Sequence, residues 1–214
     1  MDKHNHIIIN VGRQIGSGGH DVARRLADLF GCRFYDREIL NIAAKESGFS
    51  EKFFEQNDEH KTFFKSLFNI HTPLLSDSSI YKSDFSQESL FRFQSEAIRK
   101  AAKEGPCVFV GRCADYILRD FANVTNIFLT ADLSDRVKAV AERRGCTGKE
   151  ARKYIESHES QRSTYYNFYT GKQWGHSESY DLTLNTSRIG IDGAVEMVER
   201  FVKRVEGRGK RVEK

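Results

Sequence analysis

The hydrophobic pattern opens with a β-branched run at residues 6–11, Ile7-Ile8-Ile9-Asn10-Val11, that stops at Gly12 and a cluster of glycines. An apolar run bounded by turn residues is what a strand covered on both faces of a parallel sheet shows. From 18 to 30 the apolar positions Val22, Ala23, Leu26, Ala27, Leu29 and Phe30 recur at helical spacing, and Gly31 closes the element. Strand, glycine turn and helix follow one another directly. Residues 32–35 predict a short second strand ending at Asp36, and Ile39, Leu40, Ile42 and Ala43 give helical periodicity over 37–46. Regularity then fades. Residues 47–84, rich in Phe, Ser, Asp and Lys and holding Pro73, read as an inserted helical segment with loops, its aromatic pairs serving packing.

A helix is predicted over 86–103, a third strand over 106–110 ending in Gly111-Arg112, and a fourth over 124–129. Residues 134–144 predict a helix with Ser134 as its cap; Arg143-Arg144-Gly145 closes it, where basic side chains complement the carboxyl end of the dipole. Thr147 and Glu150 have capping-box spacing and open a further helix through Ala151, Tyr154 and Ile155. Residues 159–178 are polar, aromatic and basic, with no core periodicity. Residues 182–185 predict a fifth strand and 193–205 a closing helix. Strands separated by helices require crossover connections, hence a largely parallel sheet with helices on both faces.

Composition narrows the classes. A chain of 214 residues, 39% hydrophobic and 30% charged, suits one folded α/β domain. Its 34 basic and 30 acidic residues nearly cancel to +4, so no specific nucleic-acid or membrane partner is expected. The apolar stretch at 7–11 is too short for a signal-peptide core or a membrane span, and a cytoplasmic protein is expected. Cys32, Cys107, Cys113 and Cys146 form no CxxC pair, which argues for reduced thiols and against a metal site. Residues 208–214 read as a frayed basic tail.

The chemistry concentrates in Gly12-Arg13-Gln14-Ile15-Gly16-Ser17-Gly18-Gly19-His20-Asp21. Glycines between a buried strand and a helix let backbone N–H groups approach an anion, with the positive end of the helix dipole facing the same point. Phosphate is the expected occupant. A standard phosphate loop continues with Lys and then Ser or Thr, whereas this chain has Gly19 and His20 after Gly18. Arg13 is the candidate substitute cation, and Ser17 and Asp21 are the candidate metal ligands. A dinucleotide fingerprint is disfavoured because its third glycine is missing.

These residues resemble the cytidylate kinase-like branch of the P-loop nucleoside monophosphate kinases. The resemblance rests on the glycine loop, on Tyr35-Asp36, Val110-Gly111-Arg112, Phe128-Leu129-Thr130-Ala131, Asp135-Arg136 and Arg143-Arg144, and on Tyr180-Asp181-Leu182-Thr183-Leu184-Asn185-Thr186-Ser187. It implies a three-layer α/β/α P-loop fold with a five-stranded parallel sheet, a helical acceptor-binding region at 36–104 and an arginine-rich lid at 143–179. It also implies ATP and Mg2+ as cofactors, and a nucleoside monophosphate or another small phosphate acceptor as partner, with cytidylate first; a homodimer is compatible with it. Arg13, Arg143, Arg144, Arg152 and Arg162 would then neutralise the transferring group, with Lys172 a further lid cation. Asp36, Arg37, Arg112 and Asp181 would bind the acceptor. Alternatives stand beside these roles: Arg143 and Arg144 as helix-end charges, Arg152 and Arg162 as solvated ones, Asp36 as a cap and His20 as a space filler. Tyr165-Tyr166 and Trp174 are candidates either for stacking a base or for packing. A protein that binds nucleotide without transferring phosphate is the alternative function.

Overall fold

The structure, a computed structural model, describes residues 6–36 and 80–212. The backbone divides into two compact units, 1–37 with 99–214, and 38–98. The helix predicted over 37–46, with Arg37, and residues 47–79 of the insertion expected over 47–84 lie outside the described residues, while 80–84 already belong to a helix.

Five strands form one parallel sheet: β1 Ile8–Arg13, β2 Arg33–Tyr35, β3 Cys107–Val110, β4 Val124–Thr130 and β5 Leu182–Asn185, in the order β2-β3-β1-β4-β5. Among the described residues the α-helices are α1 Gly19–Phe30, α2 Ile80–Glu104, α3 Ala114–Ile117, α4 Leu133–Arg144, α5 Gly148–Thr170 and α6 Thr186–Val212. The apolar run that predicted β1 places that strand at the centre, where Ile9 and Val11 are fully buried. They pack with Val108, Val110, Ile127 and Leu129 of the flanking strands, and with Val22, Ala23 and Leu26 of α1 and Ala194, Val198 and Val202 of α6. Burying each such aliphatic side chain stabilises by roughly 1.5–3 kcal/mol.

Residues of β1 alternate, so Asn10 and Gly12 face away from that core. Asn10 Nδ2 donates to Asn126 Oδ1 at 2.8 Å, and a Cβ on Gly12 would lie 2.6 Å from the Phe128 ring. Phe128 meets Trp174 and Tyr180 edge-on and tilted, at centroid distances of 5.4 and 4.8 Å. All four cysteines are free thiols, and burial pushes Cys113 and Cys107 up to about 12. No helix among the described residues is long and apolar enough to cross a membrane.

Two sequence expectations need correction. Asp132 and not Ser134 stands at the start of α4, with no side-chain capping bond, because Leu133 already has helical geometry. Residues 159–170, which lacked an obvious apolar period, continue α5; the helix buries Ala151, Ile155, Tyr166 and Thr170, the last two polar side chains being satisfied by hydrogen bonds. Residues 186–212 are two helical stretches that meet at the non-helical Gly190, and the closing helix expected over 193–205 lies within the second of them. The capping box at Thr147 and Glu150 forms as expected.

Candidate phosphate-binding site

The loop leaves β1 at the carboxyl edge of the sheet. There the connection from β1 runs to β2 on one side while that from the adjacent β3 runs to β4 on the other, the switch point at which open α/β sheets hold ligands. Its shape is fixed by local bonds. Gln14 N–H donates to Leu129 O at 2.9 Å, and Gln14 Oε1 accepts from Ala131 N–H at 3.3 Å. Ser17 Oγ, almost fully buried, donates to Gln14 O at 2.9 Å. Thr186 Oγ1 is within bonding distance of both Ser17 O and Thr130 O, at 2.9 and 3.0 Å, so α6 braces the loop from below. Gly16 has φ +83°, and a Cβ there would lie 2.7 Å from Arg136 O; conformation and space both require glycine.

Arg13 departs from a simple loop residue. A Cβ on Gly19 would stand 2.5 Å from Arg13 Cβ and 2.8 Å from Cγ, and a Cβ on Gly111 would collide with Arg13 Nη1. The side chain thus crosses the base of α1 and brings its guanidinium to the end of β3. It fills the room that a lysine at position 19 would need.

Next to that guanidinium, three consecutive residues adopt left-handed backbone: Gly111 at φ 73°, Arg112 at 60° and Cys113 at 55°. For Arg and Cys this costs roughly 1–2 kcal/mol each, a strain that surrounding structure must hold in place. The bend carries Arg112 to a hydrogen bond with Tyr165 of α5. Burial is the largest influence on Arg112 and lowers its proton affinity despite that bond. Arg162 is lowered too, first by burial and then by the charges of Arg112 and Arg143, while Glu159 acts in the opposite sense. Guanidiniums held near one another with reduced solvation are matched by an anion that accepts several N–H bonds, as phosphate does.

Asp115 lies on the same segment. Tyr166 Oη donates to its Oδ2 at 2.6 Å. Burial nevertheless raises the carboxyl above its ordinary range, outweighing the Tyr166 bond and the Lys172 charge. Lys172, read as a lid cation, therefore stands near Asp115.

The remaining sequence candidates sit as follows. His20 at the start of α1 approaches Asp36 Oδ2 at 3.4 Å and the Phe34 ring edge-on at 5.3 Å, so His20 and Asp36 meet beside the loop. Asp21 is exposed, 3.8 Å from His20. Arg144 lies over the Tyr154 ring at 4.0 Å, and Arg152 pairs with Glu156 at 3.0 Å on the exposed side of α5. Asp181 accepts from Asn126 N–H at 2.7 Å at the amino end of β5, the end away from the loop. Trp174 and Tyr165 go to packing on Phe128 and to Arg112 respectively. Among the described residues no group of three or more His, Cys, Asp or Glu gathers as a metal site.

Sequence reasoning missed Glu159, whose Oε1 accepts from both Ile15 N–H and Arg136 Nη1 at 2.8 Å. The signal available was its position three residues before Arg162, which places both on neighbouring parts of one helix face.

A glycine loop springing from the central strand of a parallel β2-β3-β1-β4-β5 sheet, with arginines gathered at the adjoining strand ends, defines a P-loop kinase fold. A shikimate kinase of Bacteroides thetaiotaomicron, 12% identical, shares that fold over 92% of this chain and 98% of its own with a TM-score of 0.51. An uncharacterized protein from Eubacterium ventriosum superposes with a TM-score of 0.72 at 28% identity, over 92% of this chain and 99% of that one. The chain belongs to the cytidylate kinase-like family, whose model matches residues 8–188. Among named relatives, the cytidylate kinase of Ignicoccus hospitalis is 26% identical over 87% of this chain and 94% of its own length. That of Pyrococcus horikoshii is 28% identical over 94% and 90%.

Proposed function

We propose that the protein transfers the γ-phosphoryl group of ATP to a nucleoside monophosphate, with cytidylate first among the acceptors. ATP phosphates lie on the backbone N–H groups of Gly12–Gly19 and on Arg13, and the acceptor phosphate lies on Arg112 and Arg162. The observation that carries this reading is the course of Arg13, which takes the room at position 19 and reaches the strand end where Arg112 begins. A cation is thereby supplied to a loop without a lysine, between donor and acceptor positions. Phosphoryl transfer asks of the protein mainly positioning and charge neutralisation, which backbone N–H groups and arginines supply.

The residues fit magnesium only as an ion carried by the nucleotide. Ser17 Oγ is engaged with Gln14 O and Asp21 is exposed, so the chain would contribute one or two oxygens while water and phosphate oxygens complete the shell. When bound, the ion would neutralise charge on the transferring group. Residues 143–179 form the lid in this reading, with Arg162 as its central cation and Arg143 beside it.

Incubation with ATP, magnesium and a panel of monophosphates, read by formation of nucleoside diphosphate, tests the proposal. Turnover with cytidylate above the other acceptors is expected. Absence of turnover on every acceptor overturns it. The glycine at position 19 also favours a second reading, a nucleotide-binding protein without transfer; calorimetric ATP binding with no consumption would decide for it.

A further inference from the structure

On the reading that the glycine loop holds ATP phosphates, we propose that Glu159 is a positioning residue that fastens the loop to the lid helix and thereby sets Arg162. One carboxylate oxygen takes two bonds, from Ile15 N–H and from Arg136 Nη1, each at 2.8 Å. The Arg136 and Glu159 side chains are 9% and 17% exposed, so the pair is shielded from water and held more firmly than a surface ion pair. Three separate elements meet at that oxygen: the loop through Ile15, α4 through Arg136 and α5 through Glu159.

Packing reinforces the junction. The Ile15 side chain is buried with Val140 of α4 and Ala151 and Ile155 of α5. Gly16 abuts the backbone of Arg136 so closely that a Cβ would not fit. Arg162 follows Glu159 by three residues on α5, and the Glu159 charge opposes the effect of Arg112 and Arg143 on Arg162. A carboxylate fixed against the loop therefore fixes the arginine one turn further along, and offsets part of the repulsion from its like neighbours.

The test uses the double variant Arg136→Met/Glu159→Leu, which replaces the ion pair by apolar groups of similar length, an exchange that is often neutral for stability. It leaves Ile15 N–H without its acceptor. In the full-length protein, ATP affinity by calorimetry is expected to fall about tenfold, the loss of one hydrogen bond to a charged group. Amide hydrogen exchange over residues 12–18, measured without nucleotide, is expected to quicken while exchange in β3 stays unchanged. Glu159→Gln keeps an acceptor oxygen for Ile15 and is expected to hold more ATP affinity than the double variant. Equal or tighter ATP binding in the double variant, or unchanged loop exchange, overturns the proposal. If the unaltered protein binds no ATP, the kinase reading fails, and loop exchange alone decides whether Glu159 fastens the loop.

Discussion

The side chain of Arg13 stands where a side chain at Gly19 would have to grow, its Cβ 2.5 Å from the position of a Gly19 Cβ. The two positions therefore exclude one another: a cation can enter from 13 or from 19. Gly19→Ala forces Arg13 aside and is expected to destabilise by roughly 1–3 kcal/mol, as overpacking does. Arg13→Ala is expected to weaken ATP binding by about tenfold or more. Arg13→Ala/Gly19→Lys, with the cation moved and the clash removed, is expected to regain part of that loss in a calorimetric titration. No recovery, with the fold intact by circular dichroism, would argue that position 13 has a role beyond charge.

Arg112 holds a left-handed backbone that glycine adopts freely. Arg112→Gly relieves about 1–2 kcal/mol of strain, which offsets the lost Tyr165 bond, so chemical denaturation is expected to find stability close to that of the parent. Turnover is expected to fall by roughly a hundredfold, the equivalent of about 3 kcal/mol of lost charged hydrogen bonding. A destabilised variant with full turnover would place the strain in the service of folding instead.

Asp115 gives a pH signature. Burial raises its folded carboxyl value above the ordinary one near 3.8. Its favourable contribution is therefore complete below the unfolded value and is lost as pH rises through the folded one, so the buried carboxyl is a net cost on the alkaline side of that range. Asp115→Asn still accepts from Tyr166 Oη and removes that cost. Its melting temperature is expected to exceed the parent's at about pH 7 and to converge on it toward about pH 4. A difference independent of pH would contradict this assignment.

Thr186 braces the loop through a hydroxyl shared between Ser17 O and Thr130 O, and the residue is buried. Thr186→Val keeps the shape and removes the donor. Denaturant titration is expected to register about 1–2 kcal/mol of destabilisation, and Thr186→Ser is expected to restore most of it.

How much of this is legible in the chain follows from the range of the interactions. β1, β3 and β4 are readable because burial on both faces of a parallel strand demands a continuous apolar run, and Ile9, Val11, Val108 and Ile127 supply it. Gly12 to Gly19 is readable as a phosphate loop because the requirement for glycine is local. The later part of α5 is not readable in that way: Tyr166 and Thr170 are buried with their polar atoms bonded to Asp115 and to the helix backbone, so no apolar stripe marks the buried side.

The sequence by itself determined the alternation of strands and helices that makes a parallel sheet, the glycine loop at the first strand end and the absence of lysine from it, since each is written in neighbouring residues. Only the tertiary structure decided which cation fills the vacated room and which acid fastens the loop. Arg13 and Gly19 are six positions apart, Ile15 and Glu159 are separated by 144, and their meeting is set by how β1, α1, α4 and α5 pack, not by any local pattern. The same reason separates the arginines: Arg162 is buried and feels the charge of Arg112, while Arg152, equally basic in sequence, pairs with Glu156 on the outer side of the helix.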